Sequence, residues 1–111
     1  MAATVTIDDR FADVLRTLGN LQEGAETAVK RYAIEQIAER IELLREKCLA
    51  YEAKYGCDFE VFQARTAQDE GFVKQIETEV DKLWEQDLLD WEFCHKGIQD
   101  WTKTLETILL K

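Results

Sequence analysis

A repeated apolar spacing between residues 34 and 55 constrains the fold of this chain more than any other feature. Apolar side chains alternate there at intervals of three and four, with Glu, Lys and Arg between them. The repeat predicts a helix whose single apolar stripe, here called the seam, packs on another helix. The seam consists of Ile34, Ile37, Ile41, Leu44, Cys48, Tyr51 and Tyr55.

The expected ends of this helix are Asn20, which can cap its first turn, and Gly56, which can adopt the left-handed conformation that ends one. At about 1.5 Å per residue the helix would reach roughly 50 Å, longer than a compact domain of this size requires. The seam therefore needs a second helix, either from this chain or from a second copy.

The composition favours helices over sheets and limits the classes of partner. The 111 residues include no Pro and only five Gly, too few turn residues for a sandwich or a barrel. The formal charge of −9 disfavours non-specific binding to nucleic acid or to an anionic membrane. Residues 56–111 contain six basic and thirteen acidic side chains, so a charged partner of this half is expected to be basic.

The sequence also predicts the cellular compartment of the protein. No run approaches the roughly 20 apolar residues of a membrane span, and the opening residues MAATVTIDDR lack the apolar core of a secretory signal. Cys48, Cys57 and Cys94 are an odd number without a close CxxC pair. We expect a cytoplasmic protein with reduced thiols and no membrane partner.

Residues 3–7, ATVTI, alternate apolar and hydroxyl side chains, and this period of two predicts a short β-strand. The sequence holds no second strand candidate, so pairing with the same strand of a second chain is expected. In that homodimer Val5 and Ile7 face inward and Thr4 and Thr6 face outward.

A short helix follows the strand. Asp8 or Asp9 is its expected cap, Gly19 comes after its end, and one of its sides carries an apolar stripe. The stripe contains Phe11, Val14, Leu15 and Leu18.

The order strand, short helix, tight turn, second helix in residues 1–36 resembles a ribbon-helix-helix module. The resemblance implies a dimer held by the strands. It also implies that Thr4 and Thr6 could face base edges in the DNA major groove. The predicted dimerisation residues are Val5, Ile7, Ile34, Ile37, Ile41 and Leu44.

The remainder, residues 37–111, is predicted to be a long-helix hairpin that binds a partner. Asp58 can cap a short helix that carries Phe59 and Phe62. Residues 72–110 form either one helix with an irregularity or two helices that meet at Gln86 and Asp87, where the apolar phase shifts. The predicted fold class is therefore mainly α, with one N-terminal strand and a coiled-coil-like hairpin.

Short motifs in this second half resemble those of small prokaryotic antitoxins. They are Lys54-Tyr55-Gly56, Asp58-Phe59-Glu60, Phe62 and Asp90-Trp91-Glu92. The resemblance implies a non-enzymatic protein that neutralises a small basic toxin, such as a ribonuclease, and represses its own operon. The alternatives are a ribbon-helix-helix transcriptional regulator and a coiled-coil adaptor or scaffold.

No catalytic, cofactor or metal site is predicted. Cys94 and His95 are adjacent, so on a helix they point about 100° apart and cannot easily share an ion. Asp87 and Asp90 lie one turn apart, but no nucleophile or Gly-rich loop accompanies them, and a solvated face explains both.

The tryptophans of the last third support two interpretations. They can seal the core of a hairpin, or they can anchor a partner protein while nearby acids steer its basic surface. The predicted partner-binding residues are Trp84, Leu88, Trp91, Trp101, Asp87 and Asp90.

Overall fold

The computed structural model describes residues 2–110, and over that range it contains helices and no strand. The helices are α1 (Asp9–Leu18), α2 (Leu21–Tyr55), α3 (Phe59–Gln68), α4 (Glu70–Glu79) and α5 (Trp84–Leu109). The chain divides into two compact units, Met1–Gln36 and Ile37–Lys111, and α2 contributes residues to both. Residues 1 and 111, the outer ends of the two predicted domains, lie outside the described range.

The predicted N-terminal strand is wrong. Residues 2–8 form no regular element, and Thr4, Val5, Thr6 and Ile7 are exposed. A strand requires a neighbour that pairs with its N–H and C=O groups. No other part of the described chain forms such a neighbour. The alternation of side chains was therefore not enough to produce a strand. The ribbon of the ribbon-helix-helix prediction is therefore absent, and with it the surface that would present Thr4 and Thr6 to DNA.

Each of the first four helices begins with a side-chain cap. Asp8 accepts a 2.9 Å hydrogen bond from the backbone N–H of Arg10, and Asn20 accepts one of 3.1 Å from Glu23. Asp58 and Asp69 cap α3 and α4 in the same way. Gly56 has a φ of +75°, the left-handed conformation that ends α2 where the sequence predicts.

Residues 72–110 belong to two helices, and the break lies before the predicted position at Gln86 and Asp87. α4 ends at Glu79 and α5 begins at Trp84. Asp81 explains the break, because its carboxylate accepts a 2.8 Å hydrogen bond from the backbone N–H of Leu83. An Asp side chain that binds nearby backbone competes with the helical hydrogen-bond ladder.

In the second unit, α2 and α5 run antiparallel. The guanidinium of Arg40 lies 5.6 Å from the ring centre of Trp101. Eleven residues further along α2, Tyr51 hydrogen-bonds to Asp90. From Leu44 to Tyr55, the seam therefore packs on a helix of the same chain. Of the residues predicted for dimerisation, Ile37 and Ile41 are buried and Leu44 and Ile34 are half-buried in the single chain.

The core of this unit is an aromatic cluster centred on Trp91. Trp91 and Phe62 are fully buried, and their ring centres lie 5.4 Å apart. Phe59 packs edge-on against Trp91 at 5.7 Å. The other buried members are Cys48, Tyr55, Phe72, Ile76, Trp84 and Cys94. α3 and α4 thereby close one end of the α2–α5 hairpin.

Candidate interaction surfaces

The side chains predicted to anchor a partner lie mostly inside the chain. Trp91 is fully buried, and Trp84 is buried with its indole N–H donating to Glu77 at 3.3 Å. Leu88 packs against the aromatic cluster, and Trp101 is half-buried beside Arg40. These rings therefore stabilise the hairpin and present little surface to another protein.

The two predicted acids are likewise held by their own chain. Asp87 Oδ2 accepts hydrogen bonds from the Tyr55 hydroxyl at 2.5 Å and from Lys54 Nζ at 2.6 Å. Asp90 Oδ2 accepts one from the Tyr51 hydroxyl at 2.6 Å. Both carboxylates thus connect α5 to the C-terminal end of α2.

Lys54 lies between two carboxylates, because its Nζ also contacts Asp81 at 2.7 Å. Hydrogen bonds to Asp81 and Asp87 raise the pKa of Lys54. The hydrogen bond from Lys54 lowers the pKa of Asp81, and the Leu83 amide adds to this effect. Hydrogen bonding to Asp90 raises the pKa of Tyr51, whereas burial followed by hydrogen bonding to Asp87 raises that of Tyr55. The tyrosines are therefore protonated hydrogen-bond donors at neutral pH. We call the connected side chains the clasp; they are Tyr51, Lys54, Tyr55, Asp81, Asp87 and Asp90.

His95 and Cys48 border a cleft of about 260 Å³, whose lining includes Glu52 and Glu60. The His95 ring stacks on Phe59 at 4.7 Å. Within residues 2–110 no three His, Cys, Asp or Glu side chains are grouped so as to hold a metal ion. Burial raises the pKa of the Cys48 and Cys94 thiols, which lowers the fraction of reactive thiolate.

The outward side of α5 presents a surface that the sequence reasoning missed. Leu89 and Phe93 lie one turn apart and are 68% and 69% exposed. Glu85 lies one turn before Leu89, and Glu92 lies beside Phe93, paired with Lys96 at 2.9 Å. We call this exposed apolar pair with its flanking acids the α5 outer face. The helical period could have identified it, since Leu89 and Phe93 lie roughly opposite Trp91 and Ile98.

A second exposed surface lies in the first unit. Among residues 2–36 only Ala12 is buried. Phe11, Val14 and Leu18 are 61%, 56% and 80% exposed, although they share one side of α1. We call these three residues the α1 stripe. The sequence predicted the stripe, but not that it would stay exposed.

Beside the α1 stripe, α1 and α2 enclose an open groove of about 430 Å³, here called the N-terminal groove. Leu15 and Leu18 line it from α1, and Gly24 and Ala28 from α2. The two helices approach closely, because a Cβ added to Gly24 would lie 3.3 Å from Leu15 Cδ2. Glu23 and Arg31 stand at the groove as one acid and one base.

No helix among residues 2–110 combines the length and the apolar character needed to cross a bilayer. No family model matches the chain, and no curated protein and no solved structure was found to match it.

Proposed function

We propose that this protein is a non-enzymatic interaction protein whose α5 outer face binds a basic partner protein. The observation that carries the proposal is the exposure of Leu89 and Phe93, one turn apart on a helix whose opposite side packs in the core through Trp91 and Cys94. Exposed apolar side chains bordered by charge are typical of protein-binding surfaces.

The charge around this surface supports a basic partner. The second unit, residues 37–111, contains seventeen acidic and ten basic side chains. Near the apolar pair, Glu85 and Asp100 are exposed, and the paired Glu92 and Lys96 add no net charge. Such an excess accelerates encounter with a cationic surface and selects against acidic competitors.

An antitoxin that covers a small basic toxin is one form of this proposal. The apolar pair would supply most of the affinity, and the acids would occupy the cationic groups that otherwise hold RNA phosphates. Regulation of transcription is not supported by the same surface, because its acids repel phosphate.

The proposal is tested by co-expressing this protein, carrying an affinity tag, with the product of a neighbouring gene. The measured quantity is the amount of that product captured through the tag. We expect Leu89→Ser with Phe93→Ser to weaken the complex by at least about tenfold, since central apolar anchors dominate interface energy. The matched control is Leu43→Ser with Leu49→Ser, which changes two side chains on α2 that are 59% and 55% exposed. Equal capture by the two double variants would refute the assignment of the α5 outer face.

A growth assay separates an antitoxin from other binding proteins. We expect the partner alone to arrest growth, the wild-type protein to relieve the arrest, and the Leu89→Ser, Phe93→Ser variant to fail. A partner that is harmless when expressed alone would eliminate the antitoxin form and leave an adaptor.

A further inference from the structure

We infer that the N-terminal groove and the α1 stripe form a self-complementary surface that receives a second copy of this chain. The inference is independent of the proposed function, because it concerns residues 2–36 and not the α5 outer face. Its starting point is that the first unit buries only Ala12 among its described residues. Two short helical segments with so little buried surface gain little stability from their own packing.

The exposed area is sufficient for a dimer. With the exposed fractions given above, Phe11, Val14 and Leu18 present roughly 350 Å² of surface per copy, or about 700 Å² for two copies. Homodimer interfaces are about 65% apolar, so this corresponds to a total of roughly 1,100 Å². That value reaches the roughly 1,000 Å² expected of a specific interface.

The charges at the groove favour a second copy over an unrelated protein. Glu23, Thr27 and Arg31 follow one another at intervals of four on α2 and all line the groove. Thr27 is the midpoint, so two antiparallel copies of α2 that cross at Thr27 place Glu23 of each beside Arg31 of the other. Both contacts are attractive, and both follow from one two-fold axis.

The same axis pairs the α1 helices. When α2 crosses its copy in antiparallel orientation, α1 also meets its copy in antiparallel orientation, and the two α1 stripes then face each other. The two N-terminal units form a four-helix arrangement with the α1 stripes inside. This dimer uses no strand pairing.

Light scattering and sedimentation of the full-length protein at micromolar concentration test the inference. We expect the wild type to be a dimer and Leu18→Glu to be a monomer. Because Leu18 is 80% exposed, this substitution leaves the fold of the single chain intact, and unchanged helical circular dichroism is the check. A wild type that stays monomeric at about 100 μM would overturn the inference.

Charge reversal gives a test that only a symmetric dimer passes. Glu23→Arg alone and Arg31→Glu alone should each raise the dimer dissociation constant by about tenfold or more, since each brings two pairs of like charges together. An equimolar mixture of the two variants should form a heterodimer, because every cross-contact then joins Arg to Glu. Failure of the mixture to associate would overturn this pairing.

The two proposals fail separately. A monomeric protein whose partner capture still depends on Leu89 and Phe93 would overturn the dimer and keep the proposed function. A protein that dimerises as the charge-reversal test predicts, but captures no basic partner, would overturn the proposed function and keep the dimer.

Discussion

The hydroxyl of Tyr55, at the end of α2, donates a 2.5 Å hydrogen bond to the carboxylate of Asp87 in the first turn of α5. Lys54 Nζ donates to the same oxygen at 2.6 Å. The pair connects residues that are 32 positions apart in the chain. Because the Tyr55 ring is buried against Phe62 at 4.4 Å, this polar contact is anchored in the aromatic cluster.

Removal of the Tyr55 hydroxyl should destabilise the fold. We expect Tyr55→Phe to lower the free energy of unfolding by about 1.5–3 kcal/mol, the usual value for a hydrogen bond to a charged group. The control is Tyr32→Phe, since Tyr32 is 66% exposed and its change should be within about 0.5 kcal/mol. Urea unfolding measures both. Equal midpoints for the two variants would show that the Tyr55–Asp87 hydrogen bond contributes nothing to stability.

Trp91 should act on stability rather than on affinity for a partner. We expect Trp91→Ala to cost about 3–5 kcal/mol, because it leaves a cavity in the centre of the aromatic cluster. Phe93→Ala, two residues away and exposed, should cost less than about 1 kcal/mol. Thermal unfolding by circular dichroism distinguishes them. A stable, fully folded Trp91→Ala variant with impaired partner binding would instead support the anchor interpretation of this tryptophan.

The Lys54–Asp81 ion pair should make stability depend on acid pH. The pKa of Asp81 is lowered in the folded state, so the protonated unfolded chain is favoured as pH falls. The contribution is fully present above the ordinary aspartate pKa near about 4 and is lost as pH falls through the lower folded value. We therefore expect Asp81→Asn to reduce the difference in stability between pH 6 and pH 3.

The matched control for this pH dependence is Asp100→Asn, at an exposed position further along α5. Urea unfolding midpoints measured at the two pH values provide the comparison. If Asp81→Asn and wild type lose the same stability over this range, Asp81 is not a source of the acid sensitivity.

At Gly97, α5 packs tightly against Leu44 of α2. A Cβ added there would lie 2.8 Å from Leu44 Cδ1, so the Leu44 side chain would have to move. Gly97→Ala should change stability by less than about 1 kcal/mol, because the higher helix propensity of Ala offsets the small shift. Gly97→Val should cost about 1–3 kcal/mol, since a branched side chain overpacks the contact. Similar midpoints for the Ala and Val variants would show that the helices separate freely at this point.

Features of the fold that depend on consecutive residues could be predicted from the sequence, whereas features that depend on contacts between particular side chains or strands could not. α2 was predictable between Asn20 and Gly56, because capping and apolar period are local properties of consecutive residues. The break before Trp84 was placed too late, since it depends on a single Asp81 hydrogen bond to the backbone that no periodicity reports. The predicted strand failed because a strand is completed only by a neighbour, which alternation cannot supply.

The sequence by itself determined that this chain is mainly helical, where its long helix lies, and that its second half is acidic. Only the tertiary structure decided which side of α5 is free. Trp91 and Phe93 are two residues apart and similarly apolar, yet one is fully buried and the other is exposed. The physical reason is that the direction in which α5 meets α2 and α3 selects one of its sides for the core, and that direction is fixed by contacts between residues distant in the chain.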